Sequence, residues 1–470
     1  MPAVDGRATI PITSETVMKS VNCVLLCVLA IGFAACSGPD YSYRFKSDPE
    51  IKKLLSEKSV YPAMRFIVFT DTHLFDEGLG LNSDGFTKNL HPSEMFNRDG
   101  QKVLPVALDE MKSIPADFVL VCGDLTRQGE KINHGLFAKK LEALAASGKK
   151  VFVVPGNHDI MNSQAFRYDS GTQAHTPNVT PDDFASIYSH CGYGSALSRD
   201  PASLSYSAEP VKGLVLLALD SCRYKENVPD GHREDGGRFS RETLAWIEDR
   251  LIDAKKNHKA IIAMMHHGVL EHFTNQKKTY PDFVVDDLEH ISEMFAAYGV
   301  RLVFTGHYHA QSIVQKSFPE YGETLFDIET GSFMNYPLPY RVCDISKDQI
   351  LSVSSRFISS IRKDGTDYVS YAKKSNIRST MVMASDALKK FHVPEADIAL
   401  IAPQIARAYV RHLGGDPVPA DPGVKMEGLG FLGKIVVALK GGVVNAWNTD
   451  LPPGKNHTIT INLNNGTVMR

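Results

Sequence analysis

From Met64 onward, short solid apolar blocks alternate with stretches in which apolar residues recur every three or four positions. Arg65–Thr70, Phe118–Cys122, Val151–Val154, Leu214–Leu219, Ala260–Met265 and Leu302–Phe304 are rich in β-branched and bulky residues and predict buried strands. Val103–Met111, Glu130–Ala146, a segment from the N-cap Ser240 through Ala254, and Val285–Tyr298 predict helices, with a shorter one over Asp182–His190. Strand, helix, strand, helix, strand up to Val154 implies parallel βαβ units. Further β-like runs occupy Thr324–Ile328, Tyr340–Ile345 and Ile350–Phe357, with a turn at Glu329–Phe333.

Past about Lys363 the pattern turns helical. Met381–Phe391, Ile405–Leu413 and Phe431–Leu439 predict helices; Gly414-Gly415 closes the second, and Pro403 either kinks or begins it. No grouping of reactive side chains falls in this extension, which is expected to pack on the core or cover it. The stretches 74–101 and 161–203 are long and irregular, as loops that shape a binding site often are.

The N-terminal region has a different pattern. Met18-Lys19 precedes an almost wholly apolar run, Val21–Phe33, and then Ala34-Ala35-Cys36. The run is short for a membrane span and suits the core of a signal peptide. The arrangement resembles a bacterial lipoprotein signal in which Cys36 is lipidated. The resulting division is a signal segment 1–36, a polar tether 37–63 with little order, a main domain 64–360 and a helical extension 361–470. The expected location is the bacterial cell envelope, on a membrane through the lipid anchor.

Composition narrows the options. Hydrophobic residues make up 43% of the chain and charged residues 22%, enough for a large core. A formal net charge of -3 gives no nucleic-acid-binding surface. The seven cysteines, Cys23, Cys27, Cys36, Cys122, Cys191, Cys222 and Cys343, show no zinc-finger spacing. Cys122 lies in a strand; Cys191, Cys222 and Cys343 are either free or partly paired.

Five predicted strands end in polar groups: Asp71 and His73; Asp124; Asn157 and His158; His266 and His267; His307 and His309. In open α/β sheets ligands bind at the carboxyl ends of strands, and rigid strands deliver side chains to one edge. Taken singly, each residue reads as a turn, a cap or a packed histidine; together they predict a metal site. Two divalent ions about 3.5–4 Å apart need a shared anionic bridge, further carboxylates and neutral nitrogen donors. Asp71, His73 and His309 can serve one ion; Asn157, His266 and His307 can serve the other; Asp124 can bridge. Nitrogen and oxygen donors without thiolate favour manganese, iron or zinc.

Asp71-Thr72-His73, Gly123-Asp124, Gly156-Asn157-His158-Asp159, His266 and Gly306-His307-Tyr308-His309 follow in order the signature of the calcineurin-like metallophosphoesterases, which the stretch Met64–Ile345 resembles. The resemblance implies two mixed β-sheets sandwiched between helices, and hydrolysis of a phosphoester substrate by water activated at a two-metal site. Within it, His158 is expected to assist catalysis, His266 to be the ligand of its pair, and His267 to lie beside the site or touch substrate. Arg127 is a candidate phosphate-binding group. Asp159 is expected to cap or orient, and His134, His175 and His272 to be ordinary histidines. Gly123–Glu130 looks most like the bacterial branch that includes cyclic-nucleotide phosphodiesterases. The expected activity is therefore a phosphodiesterase, with a phosphomonoesterase as the alternative and a non-catalytic binding protein on the same fold as the reading from another class.

Overall fold

The apolar blocks become the strands of two sheets. The computed structural model describes residues 41–92, 96–229, 231, 233–416 and 423–469; the signal segment 1–36, with Cys36, lies outside the described residues. The sheet strands are β1 Met64–Phe69, β2 Phe118–Val121, β3 Lys150–Val153, β4 Ser198–Arg199, β5 Tyr206–Ala208, β6 Leu214–Leu219 and β7 Ala260–Met265. They continue with β8 Leu302–Thr305, β9 Ser312–Phe318, β10 Glu323–Glu329, β11 Pro339–Ile345, β12 Ile350–Phe357, β13 Thr458–Asn462 and β14 Thr467–Val468.

Among the described residues, the first sheet runs β14-β13-β12-β11-β1-β2-β3 and the second β9-β10-β8-β7-β6-β5-β4. In the first, β1, β2 and β3 are parallel, and β11 joins β1 antiparallel. In the second, β6, β7, β8 and β10 are parallel, with antiparallel edges. Both are mixed, as expected. Their strands read as continuous apolar runs because both faces are covered. On β6, Leu214, Leu216 and Ala218 pack toward the first sheet. Their neighbours Val215, Leu217 and Leu219 face the helices Arg241–Lys256 and Leu288–Ala297. Phe66 of β1 meets Phe304 of β8 edge to face, with ring centroids 5.3 Å apart. Burying each such side chain contributes about 1.5–3 kcal/mol.

Three regions depart from the sequence expectations. The tether was expected to have little order, but from Tyr41 it is folded onto the core. Its helices Arg44–Ser47 and Pro49–Leu55 bury Phe45 and Ile51. The Glu248 carboxylate accepts from Tyr41 Oη (2.6 Å) and from the Phe45 main-chain N–H (3.1 Å). Aromatic residues at every second position, Tyr41, Tyr43 and Phe45, carry this packing inside a mostly polar stretch. The extension is not wholly helical, because β13 and β14 return to pair beside β12 in the first sheet. Its first helix begins at Tyr368 instead of Met381, since its first half is too polar to show a stripe; the next, Glu395–Gly414, contains Pro403 in its interior. Finally, the irregular stretch 74–101 holds short helices and a small core of Phe75, Leu79, Leu81 and Phe86 with Tyr168. Cys122, Cys191, Cys222 and Cys343 are free thiols.

Candidate metal centre

Main-chain hydrogen bonds tie the carboxyl end of β1 to that of β2 and the end of β8 to that of β7 before any side chain is considered. The main-chain N–H groups of Asp71 and His73 donate to the carbonyls of Gly123 and Asp124, and Gly306 N–H donates to His266 O, each at 3.0 Å. Five candidate ligands stand in the left-handed region: Asp71 (φ 51°), His73 (40°), Asp124 (49°), His307 (75°) and His309 (64°). Non-glycine residues rarely adopt this conformation, and such strain concentrates at functional sites. Glycines make the close approach possible. A Cβ on Gly156 would lie 2.1 Å from Asp124 Oδ1, and one on Gly123 (φ 97°) would lie 2.5 Å from His266 Nδ1.

The side chains converge as two groups. Asp71, His73, Asp124 and His309 each offer an atom within 4.8 Å of the others, as do Asp124, His266 and His307. Asp124 belongs to both. Its Oδ2 lies 3.6 Å from His73 Nε2 and 3.4 Å from His266 Nε2, while its Oδ1 accepts the His158 main-chain N–H at 3.0 Å. Asn157 Oδ1 joins the second group, 3.0 Å from His266 Nε2. Hydrogen bonds on the far side of the rings choose the inward nitrogen. His266 Nδ1 donates to Cys122 O (2.8 Å), leaving Nε2 facing inward, and His307 Nε2 donates to Asp282 O (3.0 Å), leaving Nδ1.

The electrostatics suit cations. Burial opposes ionisation of Asp124, yet His158 and His266 hold its carboxyl well below the usual range. Burial drives the His73 imidazole down to about 3, although Asp124 pulls it up. Burial also opposes His266, but Asp124 and Asp71 hold it up at about 9. The buried Asp71 Oδ1 accepts no aligned hydrogen bond and faces His309 Nε2, 3.2 Å away, whereas Oδ2 accepts from Thr70 Oγ1 (2.7 Å) and His307 N–H (3.1 Å). A buried carboxylate oxygen without a donor is costly unless a cation meets it, so the residues present fit divalent ions.

The other predicted residues are placed as follows. His158 Nδ1 lies 2.7 Å from Arg127 O, and its Nε2 is 3.8 Å from Asp124 Oδ2. His267 has both nitrogens engaged, Nδ1 with Ser221 Oγ (2.8 Å) and Nε2 with Asp235 O (2.9 Å), so it braces a neighbouring loop. The Arg127 guanidinium stacks among Phe75, Phe86 and Tyr168; what Arg127 brings to His158 is its carbonyl. Asp159 orients, accepting from the N–H groups of Gly156, Leu125 and Thr126. Of the histidines expected to be ordinary, His134 is a buried post between Tyr188 Oη and Asp159 O (2.9 Å each). The turn at Glu329–Phe333 reaches the site, with Ser332 Oγ donating to Asp71 O (2.7 Å).

Sequence reasoning passed over three residues here. Asp235 Oδ1 accepts from Asn157 Nδ2 (2.9 Å) and Arg233 Nε (2.6 Å), and Arg233 Nη1 is 3.0 Å from His158 Nδ1. Asn335 Nδ2 is 2.6 Å from His309 Nδ1. The signal for the first two was the charged, glycine-rich stretch 231–237 between predicted elements. Nothing local marks Asn335.

Two groups of histidines and carboxylates sharing one aspartate define a candidate dinuclear hydrolytic centre. The model of the calcineurin-like phosphoesterase family matches residues 64–311, slightly more than half of the chain. The chain belongs to that family and is a metal-dependent phosphoester hydrolase. No curated protein matches it in sequence. Among solved structures it is similar to a dimetal phosphatase from Danio rerio, at 14% identity and a TM-score of 0.41, over 64% of this chain and 97% of that one. It is also similar to GAP50, the anchor in the inner membrane complex of Plasmodium, at 12% identity and a TM-score of 0.33, over 68% of this chain and 94% of that one.

Proposed function

We propose that the enzyme is a two-metal phosphodiesterase. Asp71, His73 and His309 would hold one ion and Asn157, His266 and His307 the other, with Asp124 shared; manganese, iron and zinc suit this donor set. The observation that carries the reading is Asp124 Oδ2, which lies between His73 and His266 and belongs to both groups. When bound, such ions steady the charge of a phosphoryl group in transfer and make water acidic enough to act as nucleophile near neutral pH. The chain's own contribution is to fix the donors on strained, stitched backbone and to exclude water around buried Asp71 and Asp124. His158, anchored through Nδ1 to Arg127 O, turns Nε2 toward the site and donates a proton to the leaving oxygen.

Support for a diester comes from Gly123–Glu130, which resembles the bacterial cyclic-nucleotide branch. One observation favours a phosphomonoesterase: Arg233 beside His158 offers a cation for the extra charge of a monoester. Paired aryl mono- and diesters assayed with manganese, followed by a cyclic-nucleotide panel, decide between them. Faster hydrolysis of the monoester overturns the diesterase reading. We also propose a lipid anchor at Cys36, supported by the sequence of residues 18–36. Among the described residues no helix is long and apolar enough to cross a membrane. Mass spectrometry that finds an unmodified mature N-terminus defeats the anchor.

A further inference from the structure

A directed chain of hydrogen bonds runs from the C-terminal helix Tyr368–Lys390 into the metal centre, and one main-chain group sets its direction. Tyr336 N–H donates to Asn376 Oδ1 at 2.6 Å. Turning the Asn376 amide over would set N–H against N–H, so its oxygen is committed. Asn376 then has Nδ2 to offer and donates it to Asn335 Oδ1 at 3.0 Å. Asn335 in turn has its own Nδ2 left, which meets His309 Nδ1 at 2.6 Å. His309 Nδ1 is therefore an acceptor. The ring hydrogen sits on Nε2, with His73 Nε2 3.2 Å away to receive it.

Nε2 is also the nitrogen aimed at the candidate ion, 3.2 Å from Asp71 Oδ1. A histidine that ligates through Nε2 carries its hydrogen on Nδ1 and needs an acceptor there, commonly a carboxylate or carbonyl. Asn335 can supply its oxygen only by turning over, which sets its Nδ2 against Asn376 Nδ2 and leaves donors unpaired. We propose that Asn335 and Asn376 are positioning residues that hold His309 in its non-ligating tautomer. Through them the C-terminal extension, which lies beyond the part matched to the family, weakens the hold on the first ion. The inference rests on the reading of His309 as a ligand.

The test is the affinity of the full chain for Mn²⁺ by chelator competition, after the metal has been stripped. Asn376→Leu releases the anchor of the chain without adding charge. It is expected to lower thermal stability yet to bind one of two Mn²⁺ roughly fivefold or more tighter, because Asn335 is then free to turn. A purely structural role predicts weaker binding. Asn335→Asp keeps an acceptor for Asn376 and gives His309 Nδ1–H a carboxylate, and is expected to bind roughly tenfold or more tighter. Unchanged or weaker binding by folded Asn376→Leu overturns the proposal, even if Asn335→Asp binds tighter through its added charge; Asn376→Ala serves if the leucine variant does not fold. A wild-type chain that takes up no Mn²⁺ overturns the ligand reading itself. A wild type that binds two ions, with unchanged affinity in the variants, overturns the relay alone.

Discussion

Asn157 donates its side-chain amide to Asp235 Oδ1 at 2.9 Å, and this turns its oxygen toward His266 Nε2 at 3.0 Å. An asparagine amide has two faces, and only the oxygen can meet a cation. Asp235 decides which face is offered. Removing it with Asp235→Ala should weaken the ion of the second group roughly 10–100-fold, as is typical when a partner of a ligand is lost. Asp235→Asn keeps an acceptor and should recover part of the affinity. Chelator competition on the purified variants measures both.

Asp124 should be indispensable to the pair of ions. Asp124→Ala removes the one carboxylate common to both groups. Metal analysis of the variant should find no more than about one ion where the wild type has two, with turnover nearly abolished. Two full equivalents and a near-native rate would contradict the shared role.

His158→Ala should retain both ions, because Asn157 and Asp124 occupy the positions nearest it. A proton donor contributes typically 10²–10⁴-fold, and most where the leaving group is a poor one. The rate should fall far more on an alkyl or nucleoside ester than on a nitrophenyl ester. An equal loss on both would mean that His158 positions phosphate instead.

Trp447 Nε1 donates to Tyr308 Oη at 3.0 Å, tying the last helix of the extension to the residue between His307 and His309. Trp447→Phe keeps most of the packing and leaves that buried hydroxyl without its donor. It should cost about 1–3 kcal/mol in chemical denaturation, with the ion stoichiometry unchanged.

Burial lifts the Glu329 carboxyl from 4.5 to about 8, with Asp327 adding to the shift and His272 opposing it; the buried Arg341 packs against the Glu329 carbonyl. Between about pH 4.5 and 8 the folded chain keeps a proton that the unfolded chain has lost. This group therefore takes away stability as pH rises through that window. Glu329→Gln preserves an acceptor for Ala310 N–H and has nothing to titrate. Urea denaturation at about pH 5 and pH 8 should show a smaller fall in stability for the variant than for the wild type; an unchanged fall would refute a buried, neutral Glu329.

The strands that carry the candidate ligands, and those ligands, could be read from local sequence for one reason. Each ligand follows a solid apolar block within a few residues, so a strand's carboxyl end and its reactive side chain are written together, as at Val151–His158. The family signature uses the same adjacency. The helix Tyr368–Lys390 was half missed because its first turns carry Lys373, Lys374 and Asn376, and its burial comes from neighbours the sequence does not display. The segment around Tyr43 and Phe45 was misjudged because a few alternating aromatics outweigh many polar residues once a helix surface is there to receive them.

The sequence by itself therefore determined the strands that carry the candidate ligands, the candidate donors themselves and the chemical class, all properties of short stretches. Tertiary structure alone decided which way each donor faces. His266 and His267 are neighbours in one run, yet one ring reaches Asp124 while the other is tied to Ser221 and Asp235. Arg127 stands in the motif but is stacked on aromatic rings, while Arg233, outside the motif, lies beside His158. Asn335 and Asn376 reach His309 from far along the chain. Orientation depends on hydrogen-bond partners brought together by folding, and no local spacing encodes such partners.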